Sequence, residues 1–138
     1  MSIGRVFVAL VGIVDARGWV LMQERDEGAP TDPDKWSLVG GAIEPGEAPD
    51  VAARRELLEE TGVDCDDLVF LGHDSVPCAD HGIDEVDLYT ARMDITDDEV
   101  ECHEGRQMVF VDPAQLSTLD LTSLTRAVYG GVLTFHQP

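Results

Sequence analysis

The pattern of apolar and polar positions divides the chain into short strands and two longer helical segments. Apolar runs, some of them alternating with small or polar residues, predict strands at six places. The predicted strands cover residues 7–14, 19–23, 36–39, 68–71, 86–93 and 108–111. The segments between them are rich in Asp, Pro and Gly, or in acidic residues, and predict loops at 26–34, 76–84 and 94–104.

Helix start and stop signals frame the remaining segments. Pro49 suits the first position of a helix and Gly62 suits its C-terminal cap. Asp112 is placed to cap a short helical turn that begins at Pro113, and residues 122–129 predict a closing helix. The resulting order, β-β-β-α-β-β-β-α, is typical of an α/β fold with helices on both sides of a mixed sheet.

The first helix carries an unusual cluster of like charges. At about 100° per residue, Glu56, Glu59 and Glu60 fall on one face, with Ala52 leaving open space between them. The opposite face is apolar and is formed by Val51, Ala53, Leu57 and Leu58. Like charges four residues apart cost about 0.2–0.5 kcal/mol per pair. The cluster therefore predicts either a site for a divalent cation, Mg²⁺ or Mn²⁺, or a solvated face of an acidic protein.

Size and composition restrict the class of protein. The 138 residues suit one domain, residues 1–138, and 43% of them are hydrophobic. No apolar run approaches the roughly 20 residues of a membrane span, and the N-terminal stretch lacks the pattern of a signal peptide. We therefore expect a cytoplasmic protein with no membrane partner. An odd set of cysteines, Cys65, Cys78 and Cys102, favours a reducing compartment.

The charge balance excludes one class of partner. With 28 acidic and 9 basic residues the net charge is −19. Such a surface repels polyanions, so we expect no nucleic-acid polymer as a partner. A small nucleotide that already chelates a metal ion is less affected. Adaptation to salt is a second explanation of the acidity.

Nine positions within 23 residues add a specific motif to this picture. The spacing is G-x5-E-x7-R-E-L-x-E-E-x-G-V, formed by Gly41, Glu47, Arg55, Glu56, Leu57, Glu59, Glu60, Gly62 and Val63. It resembles the Nudix box, the signature of the Nudix hydrolase family, at every specified position. The resemblance implies an α/β/α sandwich with a mixed sheet. It also implies a hydrolase that uses Mg²⁺ or Mn²⁺ to cleave a nucleoside diphosphate linked to a group X, releasing a nucleoside monophosphate.

The same resemblance assigns expected roles within the motif. Glu56, Glu59 and Glu60 match the metal ligands, and Glu56 is a candidate for activating the attacking water. Glu47 and Arg55 match the pair that braces the loop against the helix; a plain surface salt bridge, worth under about 1 kcal/mol, is the alternative for Arg55. For the glycine pair, the resemblance implies that Gly40 offers a carbonyl to the metal and that Gly41 lies against the substrate.

Outside the motif the resemblance extends to fewer residues. Glu104, followed by Gly105, resembles the glutamate that completes the metal site or acts as base in MutT-type members. Arg25 resembles a phosphate-contacting arginine of the same subgroup, or else ends a strand in solvent. Trp36 either stacks on a base or, as we favour, fills the sheet.

Several cues limit the choice of substrate within the family. Ala42 and Val39 stand where MutT-type members often have lysine and proline, which argues against a sanitiser of mutagenic nucleotides. Pro77 lies near the place where ADP-ribose-cleaving members carry a proline, but the offset differs. The expected substrate is therefore no narrower than a small nucleotide, either a nucleoside triphosphate or a nucleotide sugar.

Other functions remain as alternatives. A Nudix-like module that binds a nucleotide without hydrolysing it would have no need for the complete carboxylate set. A calcium-binding protein would need an EF-hand loop, which is missing. A structural zinc site could use Cys78, His81, Cys102 and His103, although adjacent ligands in a strand point to opposite faces. A homodimer is an expectation from the family resemblance alone.

Overall fold

Six strands form one mixed sheet in the computed structural model, which describes residues 4–78 and 81–137. In chain order they are β1 (Arg5–Val14), β2 (Val20–Glu24), β3 (Trp36–Ala42), β4 (Val69–Cys78), β5 (Gly82–Arg92) and β6 (Gln107–Val111). The order across the sheet is β4-β5-β1-β3-β2-β6. The pair β1–β5 is parallel and the other pairs are antiparallel. All six predicted strands are confirmed.

Three α-helices accompany the sheet, namely α1 (Pro49–Thr61), α2 (Pro113–Leu116) and α3 (Ser123–Phe135), and a 3₁₀ turn covers Asp97–Glu99. Pro49 begins α1 as predicted. Gly62 ends α1 in a left-handed conformation, with φ 74°, which is unfavourable for residues that carry a side chain. Its N–H donates to the Leu58 carbonyl at 2.9 Å. The Asp112 carboxylate caps α2 by accepting the Ala114 N–H.

Strand β1 lies in the interior of the sheet, and this explains its nearly continuous apolar sequence. Ala9, Val11 and Ile13 are fully buried on the side covered by α1. Leu10 and Val14 belong to a second core on the opposite side, covered by α3. A strand buried on both faces needs no polar alternation. Helices therefore cover both faces of the sheet, as the predicted α/β/α layering requires.

The buried face of α1 differs from the predicted one. Val51 and Leu58, predicted to be buried, are 53% and 46% exposed. Ala52, predicted to border open space, is fully buried, and Glu60 is only 6% exposed. The buried face of α1 differs from the predicted face because the helix packs against the glycine pair of β3. These glycines leave room for long carboxylate side chains between helix and sheet. Hydrophobicity alone could not reveal that space.

The structure has strand or helix in two segments for which the sequence predicted a loop or an irregular tail. The segment 76–84, predicted as a polar loop, supplies the end of β4 and the start of β5; its residues 79–80 lie outside the described part. Since β4 is an edge strand and largely exposed, its backbone pairing tolerates polar side chains. Helix α3 continues to Phe135, beyond the predicted end at 129, because Val132 packs directly on Gly12 of β1.

Both cores share the same sheet, and on this basis we propose that residues 1–138 form a single domain. Among residues 4–78 and 81–137, no helix combines the length and apolar character that crossing a membrane demands.

Candidate active site

The deepest acidic residue of the site is Glu60, in the last turn of α1. Its carboxylate accepts the N–H of Gly40 at 3.1 Å. Gly40 has φ 153°, and a side chain there would collide with the Ala9 carbonyl in the neighbouring strand. Burial of Glu60, together with the adjacent carboxylates of Glu104 and Glu56, raises its pKa to about 9. The site therefore holds a carboxyl group that lacks an adequate positive partner.

Glu56 lies one turn earlier and faces the second glycine of β3. A Cβ atom on Gly41 would come within 2.7 Å of the Glu56 carboxylate. The Glu56 side chain is 14% exposed. Burial raises its pKa, and the guanidinium of Arg55 only partly opposes this effect. The absence of a side chain at position 41 thus allows α1 and β3 to enclose two carboxylates.

Arg55 connects the loop before α1 to the helix. Its guanidinium contacts both oxygens of Glu47, at 2.7 and 2.9 Å, in a bidentate pair. It also donates to the Ala42 carbonyl at 3.1 Å and to Glu56 at 3.0 Å. The hydrogen bonds from Arg55 and from the Glu44 backbone lower the pKa of Glu47 to about 2. These contacts join the loop, β3 and α1, which is the arrangement that the bracing hypothesis requires.

The remaining carboxylates come from the helix surface and from a distant loop. Glu59 is exposed and lies 3.2 Å from Arg55. Glu104 reaches the site because its loop is attached to the C-terminus of α1. The N–H groups of Glu101 and His103 donate to the free carbonyls of Thr61 and Glu60, at 2.9 and 3.0 Å. The Glu104 carboxylate is one of the groups that raise the pKa of Glu60, after burial, and it contributes least to the raised pKa of Glu56.

This set of donors fits a hard divalent cation. Carboxylate and carbonyl oxygens are the ligands that Mg²⁺ and Mn²⁺ prefer, and a partly open site leaves room for their waters. The buried carboxyl of Glu60, next to the carboxylates of Glu56 and Glu104, gives such a cation a clear electrostatic role. Glu56 and Glu60 lie on α1, Glu104 lies in the loop that is hydrogen-bonded to the C-terminus of α1, and Glu59 is exposed on the helix surface.

A cavity of about 370 Å³ adjoins the glycine pair on the α3 side of the sheet. Gly40 and Gly41 line it, so the β3 backbone separates the cavity from the carboxylates of α1. Arg25 lines this cavity and also a smaller one, of about 210 Å³, that reaches Glu104. The Arg25 guanidinium donates to the carbonyl of Thr31 at 2.8 Å. Its position suits a phosphate contact, whereas Trp36 packs against the core as we favoured.

Sequence reasoning missed two residues that organise this region. Gln23 is 3% exposed and donates through Nε2 to the Glu104 carbonyl at 2.8 Å. A polar residue directly after the apolar run Val20–Met22 of β2 was the signal for it. Arg106 pairs with Glu27 and Asp34 and so ties the 26–34 loop to the start of β6. No local pattern identified Arg106.

The four-residue zinc alternative is not supported by the geometry. The Cys102 thiol hydrogen-bonds the Glu104 carbonyl at 3.3 Å, and His103 contacts the Glu59 carbonyl at 2.7 Å. In the part of the chain that the structure describes, Cys78 and His81 cluster with Asp84 instead. The two Cys–His pairs belong to different regions of the fold because their loops attach to different elements.

Comparison with known proteins identifies the class. The NUDIX domain family model matches residues 4–129, so the chain belongs to the Nudix family. It is 43% identical over 53 residues to the chloroplastic Nudix hydrolase 19 of Arabidopsis thaliana, covering 33% of this chain and 12% of the relative. It is 35% identical over 73 residues to the oxidized purine nucleoside triphosphate hydrolase of Mus musculus. That match covers 53% of this chain and 44% of the relative, so the chain spans less than half of either curated relative.

Solved structures agree on the fold. A MutT protein from Methanosarcina mazei Go1 has a TM-score of 0.82 at 18% identity, covering 99% of each chain. The NUDIX domain of Shewanella oneidensis NrtR, in complex with ADP ribose, has a TM-score of 0.77 at 17% identity, covering 99% of this chain and 90% of that one. The protein is thus a MutT-like member of the family in its architecture.

Proposed function

We propose that this chain is a Mg²⁺- or Mn²⁺-dependent pyrophosphohydrolase that cleaves a nucleoside diphosphate linked to a group X and releases a nucleoside monophosphate. The observation that carries the proposal is the position of the Glu60 and Glu56 carboxylates against Gly40 and Gly41, two glycines that also line the 370 Å³ cavity. Strand β3 therefore borders both the proposed cation site and the space for an organic ligand.

In this proposal the metal ligands are Glu56, Glu59, Glu60, Glu104 and the Gly40 carbonyl. When bound, the cation supplies charge neutralisation at the phosphates and lowers the pKa of a water molecule. Glu56 or Glu104 accepts the proton of the attacking water. Both belong to the proposed ligand set, and an ionised carboxylate is the form that can take a proton.

The neighbouring residues orient this chemistry. Arg55 and Glu47 hold the loop that precedes α1, so that the glycine pair and the helix keep a constant separation. The Gly41 backbone lines the cavity that would hold the substrate, and its missing side chain leaves room for the Glu56 carboxylate on the other side of β3. Arg25, on the wall of both cavities, contacts a phosphate after releasing its loop carbonyls.

The proposed substrate is a nucleoside triphosphate or a nucleotide sugar. The mouse relative's name supports testing triphosphates with oxidized purine bases. The ADP ribose complex of the NrtR domain supports testing nucleoside diphosphates linked to a sugar. A net charge of −19 argues against nucleic-acid polymers as substrates.

A panel of these compounds, incubated with Mg²⁺ and separately with Mn²⁺, tests the proposal by identifying the nucleotide product. Glu56→Gln and Glu60→Gln each remove a proposed ligand, and we expect a loss in kcat of at least about 100-fold. Asp50→Asn is the matched control, because Asp50 is an exposed acid in the first turn of the same helix. Equal rates for the parent and both glutamine variants would contradict the proposal. A nucleotide that binds tightly and is recovered unchanged with metal present would instead establish a binding module.

We also propose that the protein functions in the cytoplasm as a homodimer. The three cysteines are free thiols, which suits a reducing compartment. Phe7 and Phe70 are 53% and 54% exposed, large apolar surfaces that a second copy could cover. Size-exclusion chromatography with light scattering tests the dimer, and a monomeric mass at all concentrations would contradict it. Cell fractionation tests the location.

A further inference from the structure

The tip of the β4–β5 hairpin brings together a thiol, an imidazole and a carboxylate. Cys78 ends β4, Asp84 lies near the start of β5, and His81 lies in the turn between the strands. The strand register pairs Cys78 with Gly82 and Val76 with Asp84. Since paired residues of antiparallel strands share a face, Cys78 and Asp84 lie on the same side of the sheet. We propose that Cys78, His81 and Asp84 form a binding site for a zinc-type transition-metal ion.

The separations suit one ion. The three donor atoms all lie within 4.8 Å of one another. Cys78 Sγ lies 3.5 Å from His81 Nδ1. In a tetrahedral zinc site, metal–sulfur and metal–nitrogen bonds of about 2.3 and 2.0 Å place these two ligand atoms about 3.5 Å apart. His81 Nε2 lies 2.5 Å from Asp84 Oδ1. Only one ring nitrogen would bind the ion, so Asp84 would exchange this hydrogen bond for a bond to the metal.

The surroundings of Asp84 supply an independent reason for a cation. The residue is only 9% exposed, and it lines the 370 Å³ cavity beside the apolar side chains of Val6 and Val8. Among the hydrogen bonds of the described residues, its carboxylate has His81 as its one side-chain partner. A carboxylate in such a place is costly unless it is paired or binds a metal. A divalent ion would neutralise both the carboxylate and the thiolate.

The chemistry of the donors selects the metal. A thiolate and an imidazole favour zinc, cobalt or nickel, whereas the all-oxygen site of α1 favours Mg²⁺. Binding releases the thiol proton, and three protein ligands leave one coordination position for water or for a ligand in the cavity. This site rests on the geometry of the hairpin and is independent of the proposed hydrolysis. Its three residues line the same cavity as Gly40 and Gly41.

Cobalt titration of the reduced, metal-free full chain tests the proposal, because a thiolate bound to Co²⁺ gives a charge-transfer band in the near ultraviolet. An excess of Mg²⁺ occupies the oxygen site during the titration. We expect one equivalent of Co²⁺ to produce the band in the parent. Cys78→Ser abolishes it, and His81→Ala and Asp84→Asn weaken binding at least about tenfold.

The chain offers a matched control and a second measurement. Cys102→Ser removes an exposed thiol that neighbours a different histidine, so it leaves the band unchanged. Zinc protects Cys78 of the parent from alkylation, as read from the labelled peptide, and this readout does not depend on how the variants fold. The proposal is overturned by a missing band in the parent, by a band that persists in Cys78→Ser, or by equal labelling of Cys78 with and without zinc.

Discussion

The most informative single change is Glu60→Gln, because it removes a buried ionisable group and preserves the shape of the side chain. Glu60 is 6% exposed, and its carboxylate accepts the Gly40 N–H. A glutamine oxygen can accept the same bond. Burial and the neighbouring carboxylates raise the pKa of Glu60 from its ordinary value of 4.5 to about 9. The variant therefore isolates the cost of ionising this group in the folded protein.

The sign of the effect follows from proton binding. Above pH 4.5 the unfolded chain releases this proton, whereas the metal-free folded protein keeps it until about pH 9. The favourable contribution is complete below the unfolded pKa and is lost as pH rises through the folded pKa. Each pH unit in this window costs about 1.4 kcal/mol. Between about pH 5.5 and about pH 8 the loss in free energy of unfolding is therefore about 3 kcal/mol.

Urea unfolding of parent and variant, with a chelator present, measures this loss at both pH values. We expect the stability of the parent to fall by about 3 kcal/mol more than that of the variant over this interval. Groups that titrate in both proteins, including the histidines, cancel in the comparison. Mg²⁺ should reduce the pH dependence of the parent, since a cation stabilises the ionised carboxylate. Parallel pH dependence of the two proteins without metal would refute the assignment of Glu60 as a buried, protonated acid.

Three further predictions test the helix and its contacts. Leu57→Ala should lower the free energy of unfolding by about 2–5 kcal/mol and Leu58→Ala by less than about 1, in urea titrations, because only Leu57 is fully buried. Gly62→Ala should cost about 1–2 kcal/mol, measured in the same way, through its left-handed φ of 74°. Arg55→Lys keeps the charge but loses the bidentate contact with Glu47, so half-saturation of activity should need at least about tenfold more Mg²⁺.

Much of the fold could be predicted because its signals are local. Pro49 and Gly62 mark the ends of α1 through their own backbone preferences, and both positions are confirmed. The hairpin tip at 76–84 was predicted wrongly since its polar residues suit a loop as well as an edge strand. Only pairing with β5, which requires the whole sheet, distinguishes the two. The extension of α3 depends in the same way on packing between Val132 and Gly12.

In the candidate site, too, some features follow from the local sequence and others from the tertiary structure. The sequence by itself determined that Glu56 and Glu60 lie one helical turn apart, and that Arg55 and Glu47 lie within reach of each other, because helix geometry fixes short separations. The tertiary structure alone decided that Glu60 is buried and that the loop carrying Glu104, 44 residues further along the chain, is hydrogen-bonded to the end of α1. Burial depends on the surface that a helix meets, which periodicity within the helix cannot specify.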